Sequence, residues 1–221
     1  MIKLPAPPDF NFRATVTSHG WYRLAPFQWD DKSATLRRAE AVSDGAAVDL
    51  TIRCSRHSIS VEGGDAVDES RIRRMLQLDL DLGPFHEMCA RVESHRPVAE
   101  MRFGRLLCGT TMFEDVVKII ATTNTTWSQT VRMAGLLVER AGTRAPSGEA
   151  AFPSPANIAA LSPDILKNDC RLGYRSAYVH KLAEEVAAGA IVLETLASGE
   201  SSSVEALKAY RTPVAANLVA V

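Results

Sequence analysis

The spacing of apolar residues along the chain changes near Gly63 and Gly64. Before these glycines, apolar and polar residues alternate. The clearest alternating run has its apolar residues at Val48, Leu50, Ile52 and Cys54. A period of two places apolar side chains on one face of a strand, and the alternation resumes at Ile59 after a short connection at 55–58. The pattern predicts a β-hairpin here, and a weaker alternation over 10–14 predicts another strand.

After residue 64 the apolar spacing becomes helical, most clearly in the stretch 113–138. Its first half has apolar residues at i, i+3, i+4 and i+7, namely Phe113, Val116, Val117 and Ile120. Its second half repeats this stripe at Trp127, Val131, Ala134 and Val138. The polar run 122–126 separates them, and Thr and Asn are poor helix-interior residues because their side chains compete for backbone hydrogen bonds. The pattern predicts two helices joined by a corner, which is either an ordinary turn or a site offering hydrogen-bonding groups.

These patterns predict an α+β fold with two domains. Residues 1–64 form a small antiparallel β domain, and residues 65–221 form a helical domain. A capping Ser precedes Pro at 154–155 and again at 162–163, which predicts two short successive helices. Aromatic residues within 18–30 either line a ligand groove or fill the space beneath the small sheet, which is the commoner use.

Composition narrows the class of protein. The chain has 221 residues, a net charge of −1 and an apolar content of 46%, which is ordinary for a globular protein. No apolar run approaches the roughly 20 residues that span a bilayer, so we predict no membrane association. Four scattered cysteines without a C-x-x-C pair predict buried thiols and no metal site. The near-neutral charge gives no independent support for a nucleic-acid partner.

Three ordered stretches carry a family resemblance. They are the two helices and their corner at 113–138, the FPSP…L segment at 152–161, and the LGYR turn at 172–175 before a basic amphipathic helix. Together they resemble the helix-hairpin-helix superfamily of DNA glycosylases, in its 3-methyladenine and 8-oxoguanine branches. The β-rich first 60 or so residues match the N-terminal domain of that branch, which is similar to half of a TATA-binding protein.

The resemblance implies roles for particular side chains. Tyr174, on the tight turn at Gly173, would wedge between bases, and Arg175 would contact the strand opposite the damaged base. Asn124 would enter the space left by the flipped base, because its amide can both donate and accept hydrogen bonds. Two further residues complete the predicted DNA-binding set: Gln129 as a polar contact and Trp127 as a stacking surface for the extruded base. The structural alternatives are core aromatics at Tyr174 and Trp127, a helix C-cap at Arg175 and a turn residue at Asn124.

The hairpin that names the family departs from its pattern. The corresponding run 207–217 lacks the glycines that let a backbone approach a DNA phosphate around a monovalent cation. Arg211 is expected to supply a compensating charge, and no cofactor is predicted. The family's catalytic Asp would fall beyond Val221, so we expect a C-terminally truncated chain. Val214 stands where bifunctional relatives have a Lys nucleophile, which excludes lyase chemistry.

The resemblance therefore implies a monofunctional base-excision DNA glycosylase acting on alkylated or otherwise damaged purines, whose full activity requires the Asp-bearing segment that is missing from this chain. Its partner would be double-stranded DNA with a damaged base, and we expect a monomer in the bacterial cytosol and nucleoid or in a eukaryotic nucleus. Two alternatives remain. One is a damage-binding relative without catalysis, and the other is a helical interaction protein that pairs through an apolar end at Leu218–Val221.

Overall fold

We describe residues 1–42 and 45–194 from a computed structural model of the chain. The predicted hairpin at 207–217, including Arg211, and the apolar end at Leu218–Val221 lie outside the described residues. Contacts divide the chain into two compact units. The first contains Met1–Thr110 and Thr143–Ala151, and the second contains Thr111–Gly142 and Phe152–Val221.

An antiparallel sheet forms the centre of the first unit. In the described residues it has five strands, namely β1 (Ile2–Pro5), β2 (Gln28–Asp30), β3 (Thr35–Ala41), β4 (Ala47–Ser55) and β5 (Ser58–Glu62). Their order across the sheet is β1-β5-β4-β3-β2. The predicted hairpin is confirmed as β4 and β5, in which Ile52 pairs with Val61 and Cys54 with Ile59. The antiparallel sheet followed by helices also confirms the α+β class.

The described helices of the first unit are α1 (Phe12–Val16), α2 (Glu69–Met75), α3 (Gly83–Ala90) and α4 (Arg96–Glu100). Of these, α1 and α2 contribute residues to the buried cluster on the apolar face of the sheet. Ile72 and Met75 on α2, with the adjacent Leu76, belong to the same buried cluster as the sheet residues Ile52 and Val61. This packing explains why α2 groups with the sheet, so the observed division does not fall at the predicted boundary after residue 64.

The aromatic segment also packs on this core. Phe27 is part of the buried cluster, while Trp21, Tyr22 and Trp29 are partly buried against it. The space-filling interpretation of this segment is therefore the one that the structure supports.

The strand predicted over 10–14 is wrong. The Asn11 side chain accepts a hydrogen bond from the Ala14 backbone N–H at 3.1 Å and starts helix α1. Phe12, Thr15 and Val16 are the buried residues of α1, at helical i, i+3 and i+4 spacing. A capping side chain overrides a short alternation here, because it satisfies an N–H group that the first helical turn leaves unpaired.

A buried ionic network links β3 to neighbouring segments of the first unit. Arg38 and Glu40 are both 2% exposed. Arg38 Nη2 lies 2.7 Å from Glu40 Oε2, and Arg71 Nη1 lies 3.0 Å from Glu40 Oε1. The Thr110 hydroxyl donates to Glu40 Oε1 at 2.7 Å, and the Arg38 guanidinium lies 4.7 Å from the centre of the Phe27 ring. The carboxylate of Glu40 thus contacts side chains from its own strand β3, from helix α2 and from the segment that ends the first part of this unit at Thr110.

The second unit is helical in its described part. Its helices are α5 (Met112–Thr122), α6 (Trp127–Ala141), α7 (Pro155–Ala159), α8 (Pro163–Asn168) and α9 (Arg175–Ala187). The predicted capping serines are confirmed, because Ser154 accepts a hydrogen bond from Asn157 N at α7 and Ser162 accepts one from Ile165 N at α8. Within the described residues, no helix is long and apolar enough to cross a membrane.

Candidate functional site

The corner between α5 and α6 is built by threonine side chains. The last carbonyl groups of a helix have no partner inside the helix. Here the Thr122 hydroxyl donates to Ile119 O at 2.7 Å and the Thr123 hydroxyl donates to Ile120 O at 2.8 Å. From α6, the buried Thr130 hydroxyl donates to Ala121 O at 3.1 Å. These threonines therefore end α5 and fasten α6 to it, which is a structural use of the polar run.

Asn124 stands at the exposed tip of this corner. Its φ of +43° is left-handed, a conformation that Asn tolerates better than most non-glycine residues. The Asn124 backbone is held in place through its carbonyl, described below. Its side chain is exposed and makes no hydrogen bond to any described residue, so its amide is available to a ligand.

The turn between α8 and α9 presents an aromatic ring. The Leu172 N–H donates to Leu166 O at 3.1 Å, and the Gly173 N–H donates to Lys167 O at 3.3 Å, so the turn closes α8. Gly173 has a φ of +58°, where glycine has no steric penalty. Tyr174 follows with 53% of its surface exposed, which is unusual for a large ring. The core alternative for Tyr174 does not fit this exposure.

The corner and the turn meet through Tyr174 and Thr123. The Tyr174 hydroxyl lies 3.4 Å from Thr123 Oγ1, next to Asn124 in the chain. Tyr178 on α9 packs its ring against Tyr174 at 6.4 Å in an edge-on arrangement. The side chain of Tyr174 and the residue beside Asn124 are thus in contact, as the predicted joint role of the two residues requires.

Arg175 holds the same two segments together from beneath. Its Nε donates to Thr123 O at 3.1 Å, its Nη2 donates to Thr123 O and, at 3.1 Å, to Asn124 O, and its Nη1 donates to Leu172 O at 3.4 Å. Its guanidinium lies 4.6 Å from the centre of the Tyr174 ring. Arg175 is 7% exposed, so its guanidinium is committed inside the protein rather than presented to a partner.

The remaining predicted site residues differ in their exposure to solvent. Trp127 is half-buried at the start of α6, and Gln129 is exposed on the same helix. Among the described residues neither side chain has a hydrogen-bond or ring partner, so both are open to a ligand. Arg211 lies outside the described residues. Sequence reasoning missed Thr123, whose hydroxyl contacts Tyr174, although it belongs to the polar run that attracted attention.

The chemistry available at this site is stacking and hydrogen bonding. The groups open to a ligand are the exposed phenol ring of Tyr174, the exposed carboxamide of Asn124 and the half-buried indole of Trp127, and such groups bind planar and polar surfaces. The nearby Cys170 is buried, and its burial raises the pKa of its thiol to about 11, so it stays protonated and unreactive at neutral pH. Within residues 1–42 and 45–194, no cluster of His, Cys, Asp and Glu residues could hold a metal ion.

Comparison with known proteins identifies the fold. No protein-family model matches this chain, and no curated protein is significantly similar to it in sequence. Solved structures are similar. MBOgg1 in complex with a low affinity DNA ligand matches with a TM-score of 0.70 at 18% identity, over 91% of this chain and 68% of that one. A 3-methyladenine DNA glycosylase from Archaeoglobus fulgidus matches with a TM-score of 0.70 at 20% identity, over 84% of this chain and 67% of that one.

A third match is the Clostridium acetobutylicum 8-oxoguanine glycosylase/lyase in complex with double-stranded DNA containing cytosine opposite 8-oxoguanine. It has a TM-score of 0.67 at 15% identity, over 94% of this chain and 71% of that one. The chain thus spans about two thirds of the length of these structures. At these identities the likeness establishes the fold and confirms the predicted resemblance at that level. The chain has the fold of the DNA glycosylases.

Proposed function

We propose that this protein is a monofunctional DNA glycosylase of base-excision repair, acting on damaged purines in double-stranded DNA. The observation that carries the proposal is the contact between an exposed aromatic on a glycine turn and a polar corner whose tip is an unpaired amide. The fold supports it, because the solved structures that share it are DNA glycosylases.

The physical task of such an enzyme accounts for this pair of groups. A base inside a duplex cannot be reached, so the enzyme must extrude it at a cost of a few kcal/mol and keep the gap open. An aromatic ring can stack in the gap, and base–aromatic stacking contributes about 1–3 kcal/mol. The Tyr174 ring is exposed, and its position is fixed by Thr123, Tyr178 and Arg175, so little ordering is needed on binding.

The other residues take complementary roles in this proposal. Asn124 offers a donor and an acceptor to the bases at the gap. Trp127 offers a surface on which the extruded base can stack, and Gln129 makes a further polar contact. The predicted DNA contact of Arg175 is not retained, because its guanidinium is already used by carbonyl groups. The proposed location is the bacterial cytosol and nucleoid or a eukaryotic nucleus, where the DNA lies. We expect the protein to act as a monomer and to need no organic cofactor.

The direct test is release of a damaged base. The protein is incubated with a duplex containing an alkylated purine, and free base and strand cleavage are measured separately. Any base release should leave an intact abasic strand, and we expect no covalent adduct after borohydride treatment, because lyase chemistry needs a lysine nucleophile. A borohydride-trapped adduct would contradict the monofunctional assignment.

Affinity for a duplex with an abasic site tests whether Tyr174 acts as the wedge. We expect wild-type protein to prefer a duplex with one abasic site over an intact duplex. Tyr174→Ala should lose about 1–3 kcal/mol of that affinity, or about 5- to 150-fold in Kd. Tyr174→Phe, which keeps the ring and removes only the hydroxyl contact to Thr123, is the matched control and should retain most of it.

A second candidate is a damage-binding protein without excision. It is favoured because, among the residues that the structure describes, no exposed carboxylate belongs to the groups that meet at the corner and turn, and base release needs an acid–base residue to activate water. Preference for the abasic duplex together with undetectable base release would select this candidate. Equal affinity for both duplexes would exclude both candidates.

A further inference from the structure

Arg175 is a buried arginine whose hydrogen bonds join two separate segments. Three of its nitrogen atoms donate to the carbonyl groups of Thr123, Asn124 and Leu172. Thr123 and Leu172 lie on opposite sides of the junction between the corner and the turn. From these contacts we infer that Arg175 is a positioning residue that fixes Asn124 relative to Tyr174, and that it makes no phosphate contact. This inference rests on the proposed function.

The chemistry of the acceptors supports the inference. Thr123 is the C-cap of α5, and the C-terminal end of a helix carries partial negative charge on unpaired carbonyl groups. A cation is stabilised there, and arginine presents several donors in one rigid plane that can reach several carbonyls at once. Within the described residues, no carboxylate forms an ion pair with Arg175. Its positive charge therefore serves the carbonyl oxygens of the corner.

Arg175 also orients the wedge. Its guanidinium lies 4.6 Å from the centre of the ring of Tyr174, the residue before it in the chain. Stacking of a guanidinium on an aromatic face is favourable, and it restricts the rotamers open to a half-exposed ring. One side chain therefore sets both the backbone of the amide-bearing corner and the direction of the ring. Losing it should loosen both groups without removing either from the surface.

A charge-preserving substitution separates positioning from phosphate contact. Arg175→Lys keeps one positive charge but replaces the planar fork with a single ammonium group. A positioning role predicts that Arg175→Lys and Arg175→Gln both lose about tenfold in affinity for the abasic duplex, with little change for the intact duplex. A phosphate contact predicts instead that Lys restores binding.

Salt dependence gives an independent readout. Each phosphate contact adds about 0.9 to the slope of log affinity against log salt for duplex DNA. We expect Arg175→Gln to leave this slope at the wild-type value, because the guanidinium releases no counterion from DNA. A slope reduced by about one contact would overturn the inference.

A third readout needs no DNA. Amide hydrogen exchange at Thr123, whose N–H donates to Ile120 O, should become faster in Arg175→Gln and stay unchanged in Arg132→Gln, a control on the exposed face of α6. Both variants are first compared with wild type by circular dichroism at a temperature where all are folded. Unchanged exchange at the corner in Arg175→Gln would overturn the inference even if the protein binds DNA as proposed.

A combined experiment distinguishes a failure of the proposed function from a failure of the positioning role of Arg175. The wild-type protein is measured first on abasic and intact duplexes, and no preference there would overturn the proposed function itself. With that preference present, Arg175→Gln is combined with Tyr174→Ala. We expect the combined loss to be smaller than the sum of the two single losses, because the part of the Arg175 effect that acts through the ring is already absent in Tyr174→Ala. Full additivity of the two losses would overturn the positioning role.

Discussion

Arg38 in the first unit and Arg175 in the second are both buried, and their charges are compensated in different ways. Arg38 in the sheet unit meets the carboxylate of Glu40 at 2.7 Å, and a second arginine, Arg71, shares that carboxylate. Arg175 in the helical unit meets backbone carbonyl groups of a corner whose tip is exposed. Both guanidinium groups also lie over an aromatic ring, Phe27 in one case and Tyr174 in the other.

The difference concerns what each site can do. The ring of Phe27 next to Arg38 is buried, as are Glu40 and Thr110, so we expect this network to contribute to stability. The ring under Arg175 is 53% exposed, and the corner it holds carries an open amide. A buried cation that organises exposed groups is typical of a preorganised binding site, in which the supporting side chain is not itself the contact.

The largest expected change in the free energy of unfolding is at the buried ionic network around Glu40. Glu40→Gln keeps the shape of the side chain but removes the charge shared by Arg38 and Arg71. Breaking a buried pair by removing one partner leaves an uncompensated charge, which costs about 3–5 kcal/mol. Urea unfolding should therefore show a much lower midpoint.

The control for this prediction is Glu62→Gln, which breaks the exposed pair between Glu62 and Arg53. Such surface pairs contribute only about 0–1 kcal/mol. Equal destabilisation by Glu40→Gln and Glu62→Gln would remove the distinction between a buried network and a surface pair.

A smaller effect is expected at the glycine turn. Gly173→Ala forces an L-residue into a left-handed conformation at a φ of +58°, at a cost of about 1–2 kcal/mol, although nothing lies within 4 Å of the added Cβ. Gly135→Ala is the matched control, because Gly135 lies inside α6 and its added Cβ also has open space. We expect that control to be stabilised by up to about 1 kcal/mol. The same sign for both substitutions would contradict the assigned turn geometry.

The smallest effect is expected at an exposed arginine. Arg73 hydrogen-bonds Asp79 and holds the pKa of that carboxyl below its ordinary value of 3.8. Because the folded-state pKa is depressed, the ionised carboxylate stabilises the fold above the unfolded pKa, and this contribution is lost as the pH falls through the folded pKa. Asp79→Asn should therefore be slightly less stable than wild type at pH 7, by well under about 1 kcal/mol.

The pH profile of this pair is the informative measurement. The difference between wild type and Asp79→Asn in urea unfolding should disappear as the pH falls through the depressed pKa of Asp79, and it should shrink in 1 M salt, since the carboxylate is exposed. A difference that persists in acid and in high salt would assign the effect to packing instead of charge.

Local patterns predicted much of the fold. The β4–β5 hairpin, α5, α6 and the Ser–Pro helix starts follow from period and capping, which depend only on neighbouring residues. The wrong strand prediction at 10–14 was also based on neighbouring residues only. The alternation there is short, and the capping side chain of Asn11 favours a helix instead. The division into units depends on whether α2 packs on the sheet or on the later helices. The spacing of apolar residues within α2 does not specify its packing partner.

The site was predictable in part. The glycine turn at Gly173 and the polar break at 122–126 are visible in sequence, and the roles of Tyr174 and Asn124 followed from the family resemblance. Sequence offered both a DNA contact and a helix C-cap for Arg175 and could not choose between them, since the acceptors at Thr123 and Asn124 are main-chain carbonyl groups distant in the chain, and every residue type carries a carbonyl. Sequence could place an arginine beside the wedge but could not show that the guanidinium points inward.

The central claim is that Tyr174 and Asn124 act on one nucleotide position. The most direct test is a double-mutant cycle on affinity for a duplex with a single abasic site. It uses Tyr174→Ala and Asn124→Gly, because glycine keeps the left-handed backbone at 124 while removing the amide. We predict a coupling energy of about 0.5–3 kcal/mol between the two substitutions. Losses that add to within about 0.5 kcal/mol would show that the ring and the amide act independently and would contradict the account.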